Sequence, residues 1–148
     1  MDAYHGTPGF RLAGIWQSFR ELPLWLQAWA LLILMPLNAA GFLLLDTFSG
    51  QITALALVVV LAVNLPLMWL HGGMNKDMSL VHLLAWVPLE AALLGQLAGL
   101  WGDDYLTPLQ WAFTLTVIMI NAINLFFDIV DAWCWAQGDR VTLHPEHN

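Results

Sequence analysis

Only 10% of the 148 residues are charged and 59% are hydrophobic, whereas a soluble domain has roughly 25% charged residues. The formal charge of −7 therefore comes mainly from acids in loops and near the ends. Four Lys/Arg residues cannot neutralise a phosphate track, which excludes a nucleic-acid partner, and a lone cysteine, Cys134, excludes an intramolecular disulfide and a cysteine-based metal cage.

Residues 1–22 are mixed and polar. Leu12, Trp16 and Phe19 recur there at helical spacing, with Arg11, Gln17 and Arg20 elsewhere on the wheel. That pattern predicts a short helix lying in the membrane interface, with a partly ordered arm as the alternative. No secretory signal is visible, so the first apolar run is expected to stay in the mature protein as its own insertion signal.

Four segments meet the requirement of about 20 mostly apolar residues for a membrane-crossing helix: Leu24–Leu45, Ile52–Leu70, Leu80–Trp101 and Pro108–Val130. Ser49-Gly50 is read as the break after the first and His71-Gly72-Gly73 as the stop of the second. Ser79 is read as the cap of the third, Gly102-Asp103-Asp104 as its end, and Thr107-Pro108 as a cap with proline at the first helical position. The expected fold is an all-α membrane protein of four transmembrane helices in two antiparallel hairpins. An N-terminal interfacial segment (1–22) precedes the bundle (23–136), and a cytoplasmic tail (137–148) follows it.

Arg11 and Arg20 precede span 1, Lys76 lies between spans 2 and 3, and Arg140 follows span 4, while the other two loops carry Asp46 and Asp103/Asp104. The positive-inside rule then puts both ends in the cytoplasm, as expected for a bacterial inner-membrane protein. Trp16, Trp25, Trp69, Trp133 and Trp135 would sit near that interface and Trp101 and Trp111 near the opposite one, while Trp29 and Trp86 pack between helices.

Spans 1 and 3 align without a gap, Leu31 to Ala40 over Leu83 to Ala92, sharing a Pro-Leu-polar-Ala-Ala phrase. Spans 2 and 4 share Ala62-Val63-Asn64-Leu65 and Ala122-Ile123-Asn124-Leu125. A duplication would be a parallel repeat, pairing Asn38 with Glu90 and Asn64 with Asn124. Chance matching of leucine-rich spans is the competing account.

Polar groups in hydrocarbon are costly, so the candidate intramembrane site is the set Glu90, Asn38, Asn64, Asn121, Asn124 and Asp128. Asn121, Asn124, Asp128 and Asp131 form one stripe on span 4 that must face helices or water. Asp131 is expected to emerge among headgroups, and Asp128 either there or on the packed face. Glu90 falls near the midplane and reads either as a proton or cation site or as a neutral acid that fixes packing. Pro36, Pro66 and Pro88 free backbone carbonyls, read first as kinks.

His71 and His82 bracket one loop and are weak candidates for a haem or metal pair, and His144-Pro145-Glu146-His147 is a weaker metal motif still. No metal or cofactor is otherwise expected, and no nucleophile elbow, P-loop, dinucleotide fingerprint or HExxH is present. The sequence is read first as a small non-enzymatic integral membrane protein, a structural or accessory component. Its expected partners are the lipid bilayer and either further copies of itself, as a homo-oligomer, or a larger membrane-protein complex. The alternative is a small dimeric transporter or channel using the Glu/Asn site.

Overall fold

The structure, a computed structural model, describes residues 8–138, and every regular element among them is helical. α1 runs Pro8–Glu21, α2 Leu24–Leu43, α3 Phe48–His71, α4 Met78–Leu97 and α5 Pro108–Ala136. The last four are long and apolar enough to cross a membrane, and they overlap the four expected spans. The motif His144-Pro145-Glu146-His147 and Arg140 lie outside the described residues.

The helix ends depart from the sequence reading where local hydrogen bonds decide. α3 begins four residues early because the Thr47 hydroxyl accepts the Gly50 N–H at 3.1 Å, so Ser49-Gly50 lies inside the first turn and is not a break. Glycine is required at position 50 by close approach: a Cβ there would stand 2.0 Å from the Leu44 carbonyl oxygen. Gly72, at φ 67°, stops α3 as expected, with its N–H returning to Met68 O. Ser79 does not cap α4, because its hydroxyl donates to the Lys76 carbonyl; Asp77 holds the cap position without a side-chain bond. That helix ends at Leu97, before Trp101. Trp101 folds back so that its Nε1 donates to Ala92 O at 2.8 Å over Gly95. α5 opens with a full Thr107/Gln110 capping box and Pro108, and runs past Val130 to Ala136.

α2 is the irregular helix. It passes from α geometry at Leu24–Ala28 to a wide π stretch at Trp29–Leu34, then α again at Met35–Ala39 and a tight 3-10 turn at Ala40–Leu43. The wide stretch lies directly upstream of Pro36, which has no N–H to return to the preceding turn. Its expected counterpart, α4, instead continues as α-helix through Pro88.

α4 is the central element, packed on α3 and α5, and the core runs through Leu57, Val60, Trp86, Leu89, Leu93 and Val117. α1 is strapped across the loop between α3 and α4. Arg11 Nη1 donates to Trp69 O at 3.0 Å, the Met74 N–H donates to Ser18 Oγ at 3.0 Å, and Gly14 seats directly on the Gly72 carbonyl. Leu12 and Trp16 point outward from it.

Candidate functional site in the bundle interior

Most of the predicted polar residues turn inward. Asn38 on α2 and Asn121 on α5, both fully buried, form a reciprocal amide pair: Asn38 Nδ2 donates to Asn121 Oδ1 at 2.9 Å, and Asn121 Nδ2 donates to Asn38 Oδ1 at 3.0 Å. Asn38 Nδ2 also donates to the Leu34 carbonyl. A wide turn changes which residues face inward beyond it, and Asn38 is the buried residue of the short α segment after it. Each amide thereby fills its principal needs with the other, which suits a dry interior.

A second cluster joins three helices. Asn64, near the end of α3, lies with Nδ2 2.8 Å from His82 Nε2; His82, in the second turn of α4, has Nδ1 3.0 Å from Asp128 Oδ1. Asn124 Nδ2 donates to the other oxygen of that carboxylate at 2.6 Å, one turn away on α5. With the Asn64 amide nitrogen as donor, Nε2 accepts, and the ring is the neutral tautomer whose Nδ1–H donates to Asp128. Asp128 is buried, so of its two sequence readings the packed one holds, while Asp131 lies on the exposed side of α5. Asn64 and Asn124, expected as counterparts, approach one His–Asp pair from opposite sides.

Glu90 stands apart from both clusters. It is about nine-tenths buried on the inner face of α4, and its Oε1 has no hydrogen-bond partner among the described residues. Along the helix it lies roughly 12 Å from His82 and 9 Å from Gln96 at 1.5 Å per residue, close to the middle of α4. The buried hydroxyls of Ser49, Thr53 and Thr114 and the indole Nε1 of Trp86 likewise lack partners among the described residues. Asn38 is bonded to Asn121, whereas Glu90, the residue aligned with it in the third span, leaves Oε1 without a partner among the described residues.

The opposite end of the bundle is tied by Asp103. Its Oδ2 accepts the Phe48 N–H at 3.1 Å, Gln96 Nε2 at 3.3 Å and Gln110 Nε2 at 3.4 Å, linking the start of α3, the end of α4 and the start of α5. A carboxylate at the first N–H groups of α3 also complements the helix dipole.

His71 and His82 do not act together. His71 Nε2 faces Asp77 at 3.7 Å, and His82 is engaged in the interior cluster. No three His, Cys, Asp or Glu side chains gather at metal-binding distance among the described residues. Two outer grooves are lined by apolar side chains, one by Ile52, Val59, Leu84 and Pro88 among others, the second by Leu83, Ile129 and Trp133.

The role of His82 was missed from sequence. The available signal was its place on the inner stripe of α4, four and eight residues before Trp86 and Glu90, though its partner on α5 carries no local signature. Comparison with protein-family models, curated proteins and solved structures finds no match to this chain.

Proposed function

We propose that the chain is a small non-enzymatic integral membrane protein that moves protons or small cations through its interior, with Glu90 as the central acid. One observation carries this reading: an acid buried at mid-helix with an unpartnered carboxyl oxygen, standing apart from the clusters in which Asn38 is bonded to Asn121 and Asn124 to Asp128. An acid retained for packing would spend its oxygens on neighbouring donors, as interhelical acids do. An acid left open in hydrocarbon is costly and marks an ion pathway.

The same reading treats α2 with α3, and α4 with α5, as two antiparallel hairpins in a bacterial inner membrane. The end carrying His82 faces the cytoplasm, because Arg11, Arg20 and Lys76 lie at that end in sequence and in the strap. α1 then rests in the interface with Leu12 and Trp16 toward lipid. Cys134, half-buried in the last turns of α5, supplies the test of orientation. In right-side-out cells a membrane-impermeant maleimide should label it only after permeabilisation; labelling of intact cells would invert the topology.

The reconstituted protein should dissipate an imposed proton or cation gradient, and Glu90→Gln should abolish that flux while the protein still inserts and elutes as wild type. Flux unchanged in Glu90→Gln would remove Glu90 from the mechanism.

A second reading, an accessory or oligomerising component of a membrane complex, is favoured by α2. Only 11% of its apolar stretch is buried, and Leu31, Leu32, Ile33 and Leu43 face outward. Lipid or a partner helix, including one from a second copy, would cover that face. The polar stripe that suggested interhelical glue is used up within one chain, which places this reading second. Flux from the pure protein alone would separate the two.

A further inference from the structure

We propose that His82, held between Asp128 and Asn64, is the group through which protons exchange between the water at that end of the bundle and Glu90, with the Trp86 indole as the barrier between them. This deepens the reading of Glu90 above and rests on it.

The first argument is the hydrogen-bond geometry. As placed, the Asn64 amide nitrogen faces Nε2, and a ring that accepts there donates from Nδ1 to Asp128. Asn64 Oδ1 is buried with no partner among the described residues. A half-turn of that amide brings Oδ1 to Nε2, where it accepts from an Nε2–H. The heavy atoms of the cluster thus fit both the neutral imidazole and the imidazolium, with rotation of one side chain. Asn124 Nδ2, donating to the second oxygen of Asp128, holds that carboxylate as the counter-charge.

The second argument is access. The His82 side chain keeps 26% of its surface exposed and Asp128 10%, so the ring reaches the surface of the bundle while its counter-charge lies behind it. His82, Trp86 and Glu90 share one stripe of α4 at intervals of four. The Trp86 ring centroid is 6.4 Å from the imidazole centroid and the residue is 2% exposed, so a buried indole stands beside the imidazole at the position on α4 between His82 and Glu90. Its Nε1 has no partner among the described residues, so no hydrogen bond anchors it in that position.

Other charged or titratable groups on the surrounding elements at this end are Asp131 and Cys134 on α5, His71 at the end of α3, Lys76 and Asp77 in the loop, and Arg11, Arg20 and Glu21 on α1. Asp128 touches the ring directly, and His71 is engaged by Asp77. The proposed step is a proton transfer. Hydronium at the open edge gives a proton to Nε2, forming the Nε2–H bond and leaving water. When the indole swings aside, a file of waters entering its place relays that proton to the Glu90 carboxylate, leaving neutral imidazole and neutral acid.

The test is proton flux in proteoliposomes read by an entrapped pH dye, with ¹⁵N spectra of His82 in the same preparation. His82→Asn should lower flux by about a hundredfold, the low end for loss of a positioned proton-transfer group. Asp128→Asn, which keeps a hydrogen-bonding oxygen, should move the pH dependence of flux toward acid, because the imidazolium loses its counter-charge. Trp86→Phe should raise the rate. Full flux in His82→Asn alongside none in Glu90→Gln overturns the role of His82 and leaves that of Glu90 standing. No flux in wild type overturns both. If His82→Asn fails to fold, the spectra decide. A ring passing from the Nδ1–H tautomer to imidazolium across the pH range of flux supports the proposal, and one that stays neutral throughout overturns it.

Discussion

Asn121→Leu should destabilise the folded protein by about 2 kcal/mol, and adding Asn38→Leu should recover most of that loss. The single change removes two hydrogen bonds and leaves Asn38 Oδ1 unsatisfied in a dry interior, where such a group costs about 1–3 kcal/mol, while Nδ2 keeps the Leu34 carbonyl. Interhelical hydrogen bonds in membranes average only about 0.6 kcal/mol, so the stranded partner accounts for most of the effect. The double variant leaves nothing unsatisfied at that position and puts two apolar side chains of similar size in contact. Its stability should lie within about 1 kcal/mol of wild type, a coupling that double-mutant cycles resolve for touching residues. Unfolding in mixed micelles with increasing SDS supplies the measurement. Two independent, additive losses would show that the amides act separately.

Glu90→Met should make the protein more stable, by about 1–3 kcal/mol, the cost ascribed to a buried group without a partner. Methionine has similar length and removes the open carboxyl, so the space stays filled. Most core substitutions go the other way. A position where the apolar residue is more stable, yet flux is lost, is one kept for activity at the expense of stability. If Glu90→Met instead destabilises the bundle like an ordinary core change, the acid is serving as packing, and the ion-handling proposal loses the observation it stands on.

The four long helices were legible because hydropathy over about 20 residues reports burial in hydrocarbon directly. The cap at Thr107 and the glycine stop at Gly72 were legible for the same local reason: their chemistry lies within one turn. Gly50 was misread because its meaning is not local. It is small for the sake of the Leu44 carbonyl beside it, and a glycine needed for contact looks the same in sequence as one that ends a helix. The candidate site divides along the same line. The set of buried polar residues was legible from their cost in an apolar stretch, and Asn38, Asn64, Asn121, Glu90 and Asp128 are all buried. Their pairing was not. Asn38 meets Asn121 because a π stretch resets the inner face of α2, and His82 meets Asp128 because α4 and α5 pack side by side. Register between helices leaves no trace in a single sequence.

The amide pair also sets a clock on synthesis. Asn38 and Asn121 are separated by 83 residues, and α2 otherwise has little of its surface inside the bundle. At about 5–20 residues per second, α2 waits about 4–17 s after its own translation before its partner amide exists. Throughout that interval the Asn38 amide has the Leu34 carbonyl one turn back but not its Asn121 partner. The first membrane-length helix to be made therefore gains this lock only once Asn121 on α5 exists.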